Sequence, residues 1–341
     1  MIQKIQHNKL SLGKEEEEAV LRVIRSGQLA QGKEIEMFEN EFCDFMNLPH
    51  GHAVALSSGT ASLFVALHAL KGPGKKILFP NYVCSALRHA VGMVNGSEVL
   101  VDNKKNSPNL DIEKTRTMKH DIKIIPHMYG IPIEFDGRNN TTIEDCCQAL
   151  GAKVNNKLVG LQGDIGFFSF YATKLMTSGG QGGMLISENK NLINNAKDYR
   201  EFDMRHDTKK RFNLKMTELQ AAIGREQLKK IPSFLKRREE IFQRYKNNGL
   251  NLLDVKPEDH DRLKPVRYRA IVKTTNPEKM MKSLKSNNVE TIIPTEDWEL
   301  LGPSTSFPNG VKLSHETVSL PIYPSLTDKE IDIILSVVVK K

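Results

Sequence analysis

Three short stretches set reactive side chains at the ends of apolar segments. Gly166-Phe167-Phe168-Ser169-Phe170 runs into Tyr171-Ala172-Thr173-Lys174. A lysine closed into a pocket after so apolar a strand loses solvation, which lowers its pKa and makes the amine a nucleophile. The plainer alternative is a lysine whose head snorkels out at the strand end. Ser178-Gly179-Gly180-Gln181-Gly182-Gly183 follows at once, so backbone packs close to whatever Lys174 does. Ile143-Glu144-Asp145-Cys146-Cys147-Gln148 puts two acids at the end of another strand, where ligands bind in open α/β sheets. An Asp there can pair with a cationic ring nitrogen, or simply cap a helix. Ser57-Ser58-Gly59-Thr60-Ala61 joins a strand to a helix start. Its free N–H groups and hydroxyls form a phosphate cradle at the positive helix end, although Ser/Gly/Thr there is also an ordinary N-cap.

Together the stretches supply a lysine for a Schiff base, an acid for a pyridinium nitrogen and donors for a phosphate. That is the set pyridoxal 5'-phosphate requires.

The surrounding pattern alternates helices and strands over the first ~235 residues, the mark of an α/β domain with a largely parallel sheet. Helices are expected over Glu15–Arg25, Ile35–Asn47, Ala61–Leu70 and Thr217–Leu228. Short strands are expected at Ala53–Leu56, Ile77–Phe79, Val99–Val101, Ile122–Ile125, Thr142–Ile143, Ile165–Phe170 and Met184–Ser187. Apolar on both sides, they suit a sheet covered on each face. After Ile231-Pro232 a separate charged helix, Ser233–Asn247, reads as a connector. Strands at Arg267–Lys273 and Val289–Ile293 and helices at Pro277–Asn287 and from Thr327-Asp328 form a small α/β unit. The expected division is 1–235 for a large cofactor-binding domain and 236–341 for a small C-terminal one.

Composition narrows the class. Hydrophobic residues make up 39% of the 341, and the 23 glycines bring the apolar share to roughly 46%, inside the globular range of about 45–50%. No apolar run reaches the roughly 20 residues that span a bilayer, and Met1–Glu18 carries no apolar signal core, so the expected place is the cytoplasm, with no membrane partner. Four cysteines without a C-x-x-C pair argue against a disulfide framework or a metal site. The net charge of +8 is scattered and interleaved with acids. It reads as solvated helix faces, with no nucleic-acid motif.

From Gln31-Gly32 through Leu228 the chain resembles the DegT/DnrJ-type PLP-dependent sugar aminotransferases. The matching stretches include Ser58-Gly59-Thr60-Ala61, His127-Met128-Tyr129-Gly130, Glu144-Asp145 with Gln148-Ala149, Phe168-Ser169-Phe170 with Thr173-Lys174, Arg211–Ala222 and Leu320–Thr327. The resemblance implies a fold-type-I transferase: a three-layer large domain plus a small α/β domain. It implies that Lys174 forms the Schiff base and shuttles protons, and that Asp145 holds the pyridinium nitrogen. Gln148 would contact the ring hydroxyl, and Gly59, Thr60, Ala61 and Ser169 the phosphate. Asn213 would reach the cofactor phosphate of a neighbouring subunit, making a homodimer with shared sites. The implied reaction carries an amino group, from glutamate, to a keto-sugar linked to a nucleotide. A keto-cyclitol acceptor, a sugar dehydratase and a non-enzymatic regulator are the alternatives, and Lys174 disfavours the dehydratase, whose lysine is replaced.

Three positions depart from the family pattern. Gln181 stands where an acid is usual. The ring that stacks on the cofactor falls at Tyr82 or Cys84, depending on alignment. Only Gly137–Thr142 separates Asp136 from Ile143, too short for the usual covering helix.

Overall fold

A computed structural model describes residues 4–136 and 141–339. Strands β1 (Ala53–Leu56), β2 (Lys76–Pro80), β3 (Ser97–Val101), β4 (Ile122–Pro126), β5 (Thr141–Asp145), β6 (Lys153–Val154), β7 (Lys157–Leu158), β8 (Ile165–Ser169) and β9 (Gly183–Ile186) lie in the first half of the chain. Seven of them build one sheet in the order β1-β9-β8-β5-β4-β2-β3. The run from β3 to β8 is parallel, and β9 lies antiparallel to both β8 and β1. The carboxyl ends of β1, β4, β5 and β8 therefore share one edge, and each carries a stretch singled out above. Strands β1, β4 and β9 are buried along their whole length, as their apolar content on both faces requires.

Helices α1 (Lys14–Ser26), α2 (Lys33–Met46), α3 (Gly59–Ala69), α4 (Ala86–Met93), α5 (Ile112–Thr115), α6 (Lys190–Arg200) and α7 (Glu218–Asn247) accompany the sheet. Phe38 and Phe42 of α2 pack on β8 and the residue after it. Ring centroids lie 5.1 Å apart for Phe42–Phe168 and 5.4 Å for Phe38–Phe170. Each such buried ring contributes roughly 1.5–3 kcal/mol, so the strand leading to Lys174 is firmly held. Glu218, at the start of α7, accepts hydrogen bonds from the amides of Glu34 and Ile35 at 2.9 and 3.0 Å and so caps α2 from outside.

Beyond α7 come β10 (Leu263–Lys264), β11 (Ala270–Lys273), α8 (Pro277–Ser286), α9 (Pro308–His315), β12 (Thr317–Leu320) and α10 (Asp328–Val338). β11 and β12 pair antiparallel. A second buried cluster, separate from that of the main sheet, joins Ile241, Phe242 and Tyr245 of α7 to Val272, Leu284, Val318, Ile331 and Ile334. Ile5 belongs to this cluster and bridges to Val289. No helix among the described residues is long and apolar enough to cross a membrane.

The structure corrects the sequence expectations in three places. Pro232 does not divide two helices, because α7 runs through it for 30 residues. Proline forfeits one backbone hydrogen bond, yet burial of Leu228, Ile231 and Phe234 on both sides outweighs that loss. Residues 267–269 stay outside β11, because Val266 N–H donates to the Gly130 carbonyl at 2.9 Å and draws the chain towards the main sheet. Val289–Ile293 makes isolated bridges to Ile5 and Ser319 instead of a strand. The expected loss of a covering helix at Gly137–Thr142 falls mostly on residues 137–140, outside the described residues; β5 begins at Thr141.

Gly130 is the corner that joins the two halves. Its φ is +84°, and a Cβ there would lie 2.2 Å from the Val266 carbonyl oxygen. Gly130→Ala is expected to lower the urea midpoint, with a loss of more than about 1 kcal/mol, from both strain and the clash. An unchanged midpoint would show that the corner yields without consequence.

Candidate active site

At the shared strand edge lies a cavity of about 210 Å³. Its wall includes Gly59, Thr60, Asp145, Gln148, Ser169 and Lys174, and also Cys84, His127, Cys147 and Gln181. Six residues expected from the sequence are thus brought together from three different strand ends.

The Ser58 hydroxyl oxygen caps α3 by accepting from Ala61 N–H at 3.1 Å. The Ala61 amide is engaged by that cap, and Ala61 lies outside the cavity wall. Among the described residues the Gly59 and Thr60 amides have no protein acceptor, and both sit at the positive end of α3 beside the cavity. Gly59 is glycine for a packing reason: a Cβ would lie 2.7 Å from the Ser169 Cβ. The close approach brings the Ser169 hydroxyl beside Gly59. Ser169 Oγ accepts from Tyr171 N–H at 3.3 Å, which leaves its own proton to donate.

The two adjacent acids have opposite environments, because successive side chains leave β5 on opposite faces. Glu144 accepts from Gly160, Gln162 and Gly163 amides at 2.8, 2.6 and 2.9 Å and pairs with His127 Nε2 at 3.0 Å. Burial pushes its carboxyl up, but His127 and these amides outweigh burial and hold it below the ordinary value. Ile133 N–H donates to His127 Nδ1 at 3.1 Å, so the ring proton is on Nε2 and faces Glu144. Asp145 turns to the cavity and accepts from Cys147 N–H at 2.9 Å. Burial raises its carboxyl above the ordinary range, against the Cys147 contacts, Lys174 and His127. Such a group attracts a cation. Gln148 accepts from Tyr129 N–H at 2.7 Å through its carbonyl, which leaves the Gln148 amide protons for the cavity.

Lys174 closes a turn, its N–H donating to the Tyr171 carbonyl at 2.9 Å. The sequence reading expects desolvation to lower its pKa. Burial does act in that direction, but Tyr268, Cys147, Asp145 and Cys84 outweigh it, and the amine stands above its ordinary value. The acids that face the lysine across the cavity and behind it reverse the sign. Tyr268, which sequence spacing gave no reason to single out, lies with its ring centroid 5.3 Å from Lys174 Nζ.

Of the two stacking candidates, Cys84 lines the cavity and Tyr82 does not. Tyr82 is buried, and its hydroxyl shares a 2.8 Å hydrogen bond with that of Tyr129. Asn213 also lies away from the wall, exposed, with its Oδ1 accepting from Lys215 N–H at 3.3 Å. Its segment is tied to the end of β1, because Ser57 N–H donates to the Leu214 carbonyl at 2.8 Å.

The donor set suits pyridoxal phosphate. Unclaimed amides and a hydroxyl meet an anion, a buried carboxylate with raised proton affinity meets a cationic ring nitrogen, and a lysine amine lies on the same wall.

The profile of the DegT/DnrJ/EryC1/StrS aminotransferase family matches residues 10–339. The chain is 27% identical to the spore coat polysaccharide biosynthesis protein SpsC of Bacillus subtilis, over 96% of this chain and 94% of that one. It is 28% identical to the GDP-perosamine synthase of Escherichia coli O157:H7, over 89% of this chain and 88% of that protein. The crystal structure of S. venezuelae DesV, in complex with a ketimine intermediate, superposes with a TM-score of 0.87 at 26% identity, over 96% of this chain and 94% of the other. With the matching profile spanning nearly all of the chain, this protein belongs to the DegT/DnrJ/EryC1/StrS aminotransferase family and is a PLP-dependent aminotransferase.

Proposed function

We propose that this enzyme transfers an amino group from an amino acid, glutamate, to a nucleotide-linked keto-sugar. The observation that carries the reading is the convergence of Lys174, Asp145 and the free amides of α3 on one cavity. The relative that makes GDP-perosamine, whose name specifies a nucleotide-linked amino sugar, supports the acceptor class.

Bound pyridoxal phosphate supplies an aldehyde carbon for amine attachment and a cationic ring that draws electron density from the carbon losing its proton. Gly59, Thr60 and Ser169 would hold the phosphate, and Gln148 would donate to the ring hydroxyl. Asp145 would keep a proton at the ring nitrogen. Lys174 would carry the cofactor on its amine and, when that amine is free, would move a proton between the substrate's α-carbon and the cofactor's aldehyde carbon. Gln181, on the cavity wall where an acid is usual, leaves this side of the site uncharged towards an anionic donor. Residues 1–235 act as the cofactor-binding domain and 236–341 as the smaller one, with α7 spanning both. The enzyme works in the cytoplasm, where its four cysteines stay as thiols.

The decisive experiment loads the enzyme with pyridoxamine phosphate and asks which keto-sugar restores the visible band of the bound cofactor. Restoration by a nucleotide keto-sugar confirms the acceptor class; restoration only by a keto-cyclitol replaces it. Borohydride reduction followed by peptide mapping should place the pyridoxyl group on Lys174, and label on any other lysine removes Lys174 from its role.

Asp145→Asn should separate stability from function. Because burial raises the folded carboxyl, the charged form is penalised in the apoprotein at every pH above the ordinary carboxyl range, and the penalty vanishes below it. The Asn apoprotein is therefore expected to melt above the wild type at neutral pH. Its half-reaction with glutamate should be slower by about tenfold or more, from loss of a charge-assisted contact of roughly 1.5–3 kcal/mol. Near-wild-type turnover would contradict the assignment.

The enzyme is a homodimer in which Asn213 reaches the partner's cofactor phosphate. Its position off its own chain's cavity supports this. An isologous pair then has two composite sites. Mixed Lys174→Ala and Asn213→Ala subunits should regain activity, because one site of each heterodimer is intact. Subunit exchange without recovered activity would confine Asn213 to its own chain.

A further inference from the structure

Behind Lys174, outside the cavity wall, two cations face one phenol ring. Lys174 Nζ lies 5.3 Å from the Tyr268 ring centroid, and the Arg269 guanidinium carbon lies 5.1 Å from it. Both separations fall inside the roughly 6 Å reach of a cation–π contact. A third cation holds the tyrosine backbone: buried Arg238 donates from Nη1 to the carbonyls of Arg267, Tyr268 and Ile322 at 3.2, 3.2 and 2.7 Å. Val266 fixes the same segment on the Gly130 carbonyl. Tyr268 is itself buried. Its ring is therefore placed from two sides and has little freedom to move when Lys174 does.

The charges around it are unbalanced. Among the described residues, Lys174, Arg238 and Arg269 form no ion pair with a carboxylate. Arg269 instead bonds His7 Nε2 at 3.2 Å and the Ser319 hydroxyl at 3.5 Å. Asp145 acts on Lys174 from the cavity side, together with Cys147 and Cys84. Arg238 is a buried cation without a carboxylate partner, which is costly, and the Tyr268 phenol is the acidic group that acts on both Lys174 and Arg238.

We propose that Tyr268 is a positioning residue for the reaction: it docks the free Lys174 amine and serves as its counter-charge, one proton passing from the phenol oxygen to the amine nitrogen. The pair then exists as phenolate and ammonium, and the proton returns when the amine has to act as a base. The docked amine stays beside the cavity instead of drifting into it. Burial pushes the Tyr268 phenol up, but Lys174, Arg269, the Thr173 side chain and Arg238 outweigh burial and lower it to about 8. The proposal rests on Lys174 being the reacting lysine, which borohydride mapping tests without reference to Tyr268.

The test uses the full-length apoprotein and needs no turnover. Tyrosinate absorbance is followed against pH, and acylation of Lys174 is followed by peptide mapping, with the other lysines as internal controls. One of the 7 tyrosines should titrate near pH 8. That step should vanish in Tyr268→Phe, which keeps the ring and its packing. In Lys174→Met, which keeps the aliphatic stem and removes the charge, it should move up by about one unit or more. Reciprocally, the labelling profile of Lys174 should move down by about one unit in Tyr268→Phe. A purely structural tyrosine would move neither signal. A low-pH step that survives Tyr268→Phe, or either reciprocal shift failing to appear, overturns the shared proton.

Discussion

A carboxylate buried at the edge of a parallel sheet demands a positive partner, and Asp145 is that carboxylate. It ends β5, between β4 and β8, where the strands leave no solvent to satisfy it. Cys147 N–H takes part of one oxygen, and the cavity lies beside it. A soluble fold keeps such a group only where some ligand or side chain returns the lost solvation. Around this demand the α3 amides, Ser169, Gln148 and Lys174 converge, each from a different element. The burial that raises the Asp145 carboxyl favours a cationic group placed beside it in the cavity.

Its neighbour shows how little separates a structural acid from a functional one. Glu144 and Asp145 are adjacent and both are buried. The alternation of a strand sends Glu144 away from the cavity, into the amides of residues 160–163 and His127. Its charge is spent on holding the loop between β7 and β8, and that loop returns the chain to the start of the strand that carries Ser169. One acid positions the scaffold, and the other faces the cavity.

Electrostatics on the lysine side follow the opposite logic. Lys174 is half-buried, yet its surroundings hold the amine charged. Desolvation alone favours the neutral form, so the acidic neighbours decide the outcome. Tyr268 arrives there from beyond α7 because the segment before β11 is tied to the Gly130 corner and to Arg238. The chain's second half thereby reaches the chemistry of its first.

The amino-acid sequence by itself determined the local pieces. The apolar runs make strands, Ser58 and Thr217 start helices, and glycine at 59 permits the close approach of α3 to Ser169. These depend on neighbours in sequence or on residue type, so Asp145, Lys174, Gln148 and the Gly59-Thr60 donors were legible as one site. Pairings across the chain were not. Nothing at Pro232 indicates that buried Ile231 and Phe234 carry a helix through it. No spacing rule separates Tyr82 from Cys84 at the cavity, sends Ala61 N–H to a cap, or brings Tyr268 to Lys174. Periodicity reports which face of an element is apolar, whereas the sign of a lysine's pKa shift depends on which acids approach it from distant elements. Only the tertiary structure decides that, because electrostatic energy follows distance through space and not separation along the chain.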